Sequence, residues 1–373
     1  TSRSLTLYVS KTDTVTRPWY SEHSFNTDPD IMVDNPLAIS TRVASSFLRV
    51  GQLELFARRT RDNAHANARD ELQMIVEHLI QREYKNEIEQ NLNFNEQIIE
   101  VAKLFRTRLT SLMANWIRVG FCQGNFNGDN CPAGGYTLDY GPFGFCEIFD
   151  MEFQPWTGGG KHFSFFNQPA AGEANFNMFL KSVRELLLDD AQALEQLDHI
   201  RDTFSDEMRA QFQKMWADKL GLTQYNHELI TQLFQLMTHT QVDYTIFFRE
   251  LSAIPKDVSA LQKSFYNETS QELDDNWNEW LKTWFELLND GRDNAQVSDQ
   301  MKKVNPKYTW REWLVVPAYQ QAALGNYSLV KELQEIFNDP YSEQSKEIEE
   351  KYYRLKPKQY FHAGGVSHYS CSS

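Results

Sequence analysis

Between residues 94 and 120 the sequence carries a periodicity that leaves little choice of structure. Ile98, Val101, Ala102, Phe105, Leu112 and Trp116 recur at helical spacing, so they share one face of a helix. Gly120 follows, the residue type that best ends a helix in the left-handed conformation. A shorter run with the same spacing, Leu72, Ile75, Val76 and Leu79, lies in a helix expected from about residue 63. Residues 272–290 repeat the pattern with Leu273, Trp277, Trp280, Leu281, Trp284 and Leu288, and Gly291 comes after them. A tryptophan stripe could be a binding platform, but helical spacing is what burial demands, so these side chains are read as core. Residues 310–337 read as a helix pair joined at Gly325-Asn326, and EQSKEIEEKYYRLK as a solvated helix face. Strand signals are confined to two places. Residues 4–18 read as two short strands around the turn-like KTD, and residues 124–145 are short-stranded and turn-rich.

Composition bounds the function classes. A chain of 373 residues, 41% hydrophobic and 13% aromatic, can bury a sizeable core in one large or two ordinary domains. Its net charge of -14 opposes general binding to nucleic acid or an anionic membrane, while leaving room for one local basic pocket. No apolar run approaches the roughly 20 residues that span a bilayer. The four cysteines show no CxxC spacing, which suits a reducing compartment.

The stretch GNFNGDNCPAGGYTLDYGPFGF, residues 124–145, concentrates the chemistry. Asp129 and Asn130 are adjacent, and Asp139 follows after a glycine-bearing turn and the alternating YTL. A carboxylate beside an amide, with a second carboxylate close by, suits a hard divalent cation such as magnesium, which prefers oxygen ligands. Phosphoryl-transfer sites use such a set: one Asp near the attacking hydroxyl, an Asn on metal, and the Asp of an Asp-x-Gly on metal. The same residues are also ordinary turn chemistry, since Asx-rich turns need no ligand. TGGGKHF, residues 157–163, hints at a phosphate loop but has His162 where Ser or Thr is needed, so it reads as a surface loop.

The residues go further than generic chemistry. VGFCQGNFNGDN and YTLDYGPFGF together resemble the signature of the SelO (selenoprotein O) family of kinase-like protein adenylyltransferases. LAISTRVASSFLRVGQLELF, HFSFFNQP, MKKVNPKYTWREWLV and the terminal SCSS resemble further family segments in the same order. The resemblance implies a protein-kinase-like α+β fold, here a predominantly helical C-lobe with a few short strands near the N-terminus and around the catalytic loop. It implies Asp129 as catalytic base, Asn130 and Asp139 as magnesium ligands, and Arg42 and Arg49 on the phosphates of ATP. Guanidinium forks suit phosphate oxygens and stay charged at any working pH. The implied reaction transfers AMP from ATP to Ser, Thr or Tyr hydroxyls of protein substrates. A protein kinase transferring the γ-phosphoryl group, or a pseudokinase-like scaffold, is the alternative.

Several departures accompany the resemblance. The family's glycine loop, phosphate lysine and its glutamate partner lie upstream of the TRVA segment, and none is found before Arg42. Residues 1–62 are therefore expected to be a remnant of the N-lobe with the arginine segment, and residues 63–373 the helical C-lobe with its extension. A fragment without an N-lobe should position nucleotide poorly and be nearly inactive, although its parent would be active. The chain starts TSRSLTLYVS without an initiator Met, as a start inside a fold, so a targeting segment could be lost. The family relation implies a mitochondrial location for a eukaryotic source and a cytoplasmic one for a bacterial source. Gln123 stands where the family has His and cannot titrate. Cys371 holds the C-terminal position of a redox pair found in some members, but the partner position falls near Pro155. Cys146 is read as a buried apolar residue, and Cys122 and Cys131 as bystanders.

Overall fold

The computed structural model describes residues 3–19, 21, 30–89, 91–138, 141–156 and 160–361. The chain opens with an antiparallel ribbon of β1 (Arg3–Trp19) and β2 (Ile31–Val43). This corrects the expectation of two short strands within residues 4–18. Thr14 resumes pairing with the same partner strand, at Pro36, where Val9 left it at Ala38. Ser10–Asp13 bulges out, held by Ser10 Oγ, which donates to Asp13 Oδ2 at 3.1 Å and accepts from the Asp13 amide at 2.9 Å, and a smaller register shift falls between Ser4 and Thr6. KTD thus breaks the period of two without ending the strand.

The remainder is predominantly helical. Helices α1 (Val50–Arg61), α2 (Ala68–Leu79), α3 (Phe94–Val119), α4 (Gln168–Arg184), α5 (Ala191–Asp202) and α6 (Phe204–Lys219) form one body, with a π turn, Ile80–Tyr84, continuing α2. The amphipathic α3 runs through it. Ile98, Val101, Ala102, Phe105 and Trp116 are buried, and Leu112 is partly so. Asn93 and Glu96 close a capping box at its start, and Gly120 ends it at φ 79°. The buried Lys219 Nζ donates to Arg118 O at 2.8 Å and Asn305 Oδ1 at 2.9 Å, which satisfies a carbonyl in the last turn of α3.

A second cluster joins α6 to α7 (His227–Thr240), α8 (Tyr244–Leu251), α9 (Gln271–Leu288) and α10 (Asn294–Val304). The α9 tryptophans are core, as expected. Trp277, Trp280 and Trp284 are buried, and their Nε1 atoms donate to Thr240 Oγ1, Leu229 O and Leu220 O at 2.8, 2.9 and 2.9 Å. Buried indole N–H groups need such partners. A third cluster holds α11 (Glu312–Ala323), α12 (Ser328–Asn338) and α13 (Lys346–Tyr352). The turn between α11 and α12 uses Gly325 at φ 84°.

The charged stretch after α12 is more than a solvated face. Glu343 reaches the buried Arg249 at 2.5 Å and also pairs with the buried Lys307, which Glu349 meets at 3.0 Å. Tyr352 and Tyr353 are buried beside them. Two interior cations thus account for acidic residues that a local pattern assigns to solvent. Arg311, also buried, grips the fully buried Asp243 through both terminal nitrogens at 2.6 and 2.9 Å. Among the described residues no helix is long and apolar enough to cross a membrane.

Candidate active site

The stretch 124–145 is a closed loop. Strand β3 (Phe121–Gln123) leaves α3 directly and pairs antiparallel with β4 (Phe143–Phe145), and Gly124 N donates to Pro142 O at 2.6 Å. The hairpin strands therefore lie outside the YTL run, which sits within the loop. Aromatic rings support the base: Trp116 packs on Phe126 and Phe121 at centroid distances of 4.8 and 5.1 Å, and its Nε1 donates to Thr137 Oγ1 at 2.9 Å. The HFSFFNQP segment has a structural task here. Buried Gln168 accepts from Gln123 N and donates to Phe121 O, both at 2.9 Å, which fixes β3. Asn175 of α4 donates to Phe126 O at 2.9 Å.

The loop is zipped to the start of α1 through main chain. Val50 N donates to Cys131 O, Gly51 N to Gly128 O, and Ala133 N to Leu48 O, each at 2.9 Å. Arg49 forms a bridge with Pro132. Two first-turn amides of α1, Val50 N and Gly51 N, which would otherwise be free, are thereby spent on the loop, and the Arg49 main chain is held against Pro132. Asp129 is exposed, its amide taken by Asn127 Oδ1 at 3.0 Å, and its carboxylate lies against Gly51. Asn130 is half-buried and donates through Nδ2 to Asn125 O at 2.8 Å, so its Oδ1 is the side-chain oxygen left for a ligand. Arg42, near the end of β2, reaches Leu138 O at 3.5 Å, a long contact at the other end of the loop. Asp139 lies outside the described residues. Of the expected set, Asp129 and Asn130 lie on the loop, the Arg49 main chain bridges to it at Pro132, and the Arg42 side chain reaches it at Leu138.

Residues that pattern reading missed frame this loop from beneath. Tyr84 OH donates to Ala133 O at 2.7 Å, and Arg108 donates to Gly134 O and Glu83 O at 3.0 Å each, with its guanidinium 4.3 Å over the Tyr84 ring. Tyr136 OH donates to Ser46 O. Burial and the charge of Glu83 push the Tyr136 hydroxyl up, while Ser46 and the charge of Arg49 act against them. No spacing in the sequence marks these contacts, because they join a π turn, a linker and a loop.

The cysteines among the described residues are not exposed thiols. Cys122, Cys131 and Cys146 are buried, and burial pushes all three thiols well up. Cys371 lies outside the described residues, as do residues 157–159 of the TGGGKHF loop, whose Lys161 pairs with Glu152 at 2.8 Å.

Comparison with known proteins adds to this geometry. The family model "Protein adenylyltransferase SelO" matches residues 2–338. "Protein nucleotidyltransferase YdiU" of Tolumonas auensis is 32% identical over 354 residues, covering 91% of this chain and 64% of the relative. The proteins of the same name from Flavobacterium johnsoniae and Methylobacillus flagellatus are each 31% identical, covering 90% of this chain and 64% of the relative. The family match starts at residue 2 and so lends no support to the expectation of a fragment, and the chain spans 64% of the length of these relatives.

Proposed function

This chain belongs to the SelO family, and from that premise we propose that the 124–142 loop is the transfer site of a magnesium- and ATP-dependent protein adenylyltransferase with a kinase-like fold. The observation that carries the proposal is the main-chain zip between residues 48–51 and 128–133, with Arg42 at Leu138. It supports the reading by bringing the Arg49 main chain and the Arg42 side chain to the loop that carries the exposed Asp129 and the half-buried Asn130. Arg42 and Arg49 bind the phosphates and hold them against the loop. Asp129 makes no ion pair among the described residues, so its carboxylate is free to accept a proton from the Ser, Thr or Tyr hydroxyl of a protein substrate.

Asn130 Oδ1 and the Asp139 carboxylate are hard oxygen donors of the kind magnesium takes, and they would hold it. Bound there, the cation would supply neutralisation of phosphate charge.

The test is titration of ATP and magnesium onto the chain, then incubation with α- or γ-labelled ATP and a protein acceptor. Arg42→Ala and Arg49→Ala are expected to weaken binding. The α-label is expected on protein, with Asp129→Asn lowering its rate on the order of 100-fold or more, the scale of a lost general base. Transfer of the γ-label instead would make the protein a kinase. A chain that binds no ATP would refute the site and leave a helical scaffold.

A further inference from the structure

The joint between ribbon and helical body is six residues, Ala44–Arg49, with Arg42 at the end of the ribbon before it and Arg49 as its last residue. Such a linker, left to itself, would let the two arginines move independently. The structure ties it to one side chain. Ser45 Oγ donates to both carboxylate oxygens of Glu83 at 2.7 Å, and Ser46 Oγ donates to Oε1 at 2.5 Å. The neighbouring Arg82 Nε donates to Ser45 O at 2.8 Å, so the joint is gripped on its acceptor side as well.

Glu83 also touches the loop. A Cβ on Gly134 would stand 2.8 Å from its carboxyl carbon, so only glycine admits this approach. Arg108 closes the circuit, donating to Glu83 O and Gly134 O and pairing with Glu87. Glu83 lies in the π turn Ile80–Tyr84. The extra residue of such a turn shifts the phase of the helix surface, and π turns occur often where a side chain must be aimed at a function.

We infer that Glu83 is a positioning residue: its carboxylate locks the Ser45–Ser46 joint against the loop and so sets the spacing of Arg42 and Arg49. The inference rests on the proposed role of those arginines. Hydrogen bonds to a charged carboxylate are among the stronger ones in proteins. Their loss frees the joint without touching the ligand.

The test uses the 373-residue chain with Glu83→Ala, Glu83→Gln, Ser46→Ala and the Glu83→Ala/Ser46→Ala pair, read by ATP titration with magnesium and by hydrogen exchange. Glu83→Ala is expected to weaken ATP binding about tenfold, the scale of one charge-assisted hydrogen bond. Glu83→Gln, which keeps one acceptor oxygen, falls between it and the wild type. Ser46→Ala weakens binding alone but adds nothing to Glu83→Ala, since both remove one interaction. Exchange quickens at residues 44–49 and 133–136 and stays unchanged in α3 and α9.

Quickened exchange throughout the chain would show a merely structural role and overturn the inference. Binding in the wild type that Glu83→Ala leaves intact removes this inference alone. A wild-type chain that binds no ATP removes the arginine site and this inference together.

Discussion

Gly51→Ala separates stability from function at the proposed site. Gly51 occupies the first turn of α1, where alanine is ordinarily the better residue by roughly 0.5–1 kcal/mol. An alanine Cβ would lie inside van der Waals contact with Asp129 Oδ1, 3.3 Å from Asp129 Cγ and 3.2 Å from the Gly128 carbonyl carbon. The Gly128 approach is tight but tolerable, so Asp129 is the group that gives way. Its side chain is exposed, and a rotamer displacement costs about 0.5–1.5 kcal/mol. The two terms nearly cancel, so the unfolding free energy from urea denaturation is expected to stay within about 1 kcal/mol of wild type. A displaced catalytic group has a larger effect: about 1 Å of misplacement lowers a rate on the order of 100-fold. Denaturation and α-label transfer, run side by side, check both halves. Transfer at the wild-type rate would refute the reasoning. So would a stability loss above about 2 kcal/mol, because the Gly128 main chain would then be what resists.

Two further predictions follow from buried charge. Arg311→Leu leaves Asp243, fully buried, without its cation and with only the Ile246 amide and Tyr266 hydroxyl as partners. A loss of about 3–5 kcal/mol in urea denaturation is expected, and one below about 1 kcal/mol would refute the reading. Glu147 is pushed up to about 7, because burial outweighs the nearby Arg311. The folded state therefore holds a proton that the unfolded chain releases above its ordinary value of 4.5, so stability falls as pH rises from about 4.5 through 7. Over that window the loss approaches about 3 kcal/mol, and Glu147→Gln is expected to abolish it in melts at pH 5 and 8.

The helical body was legible because its signals are local. The α3 and α9 stripes, the Gly120 end and the Gly325 turn all state their structure within a few residues. The ribbon was half legible. Ser10–Asp13 interrupts its alternation, and nothing nearby reveals that both segments pair with one strand. The role of Glu343 was hidden for a different reason. Its buried partners Arg249 and Lys307 lie 94 and 36 residues away, and an acidic run looks the same facing a buried cation as facing water. At the site, Asp129 and Asn130 were legible as oxygen-ligand chemistry, while Arg42 and Arg49 came from motif resemblance alone. What ties the Arg49 segment to the loop is a set of main-chain hydrogen bonds between residues 48–51 and 128–133, and main chain carries no residue-type signature. The π turn that aims Glu83 is silent for the same reason.

The α9 stripe has a spectroscopic consequence. Three of the nine tryptophans stand on one helix, with the Trp280 and Trp284 rings 6.0 Å apart and within 9° of parallel. Rings so close and so aligned exchange excitation, and their burial keeps the emission short-wavelength. Intrinsic fluorescence will therefore be weighted toward the second hydrophobic cluster, whereas the proposed transfer loop rests on the first. A fluorescence melt and a far-ultraviolet dichroism melt need coincide only if both clusters unfold as one cooperative unit. Their separation would measure how far the loop's foundation can loosen while the tryptophans still glow as in the folded protein.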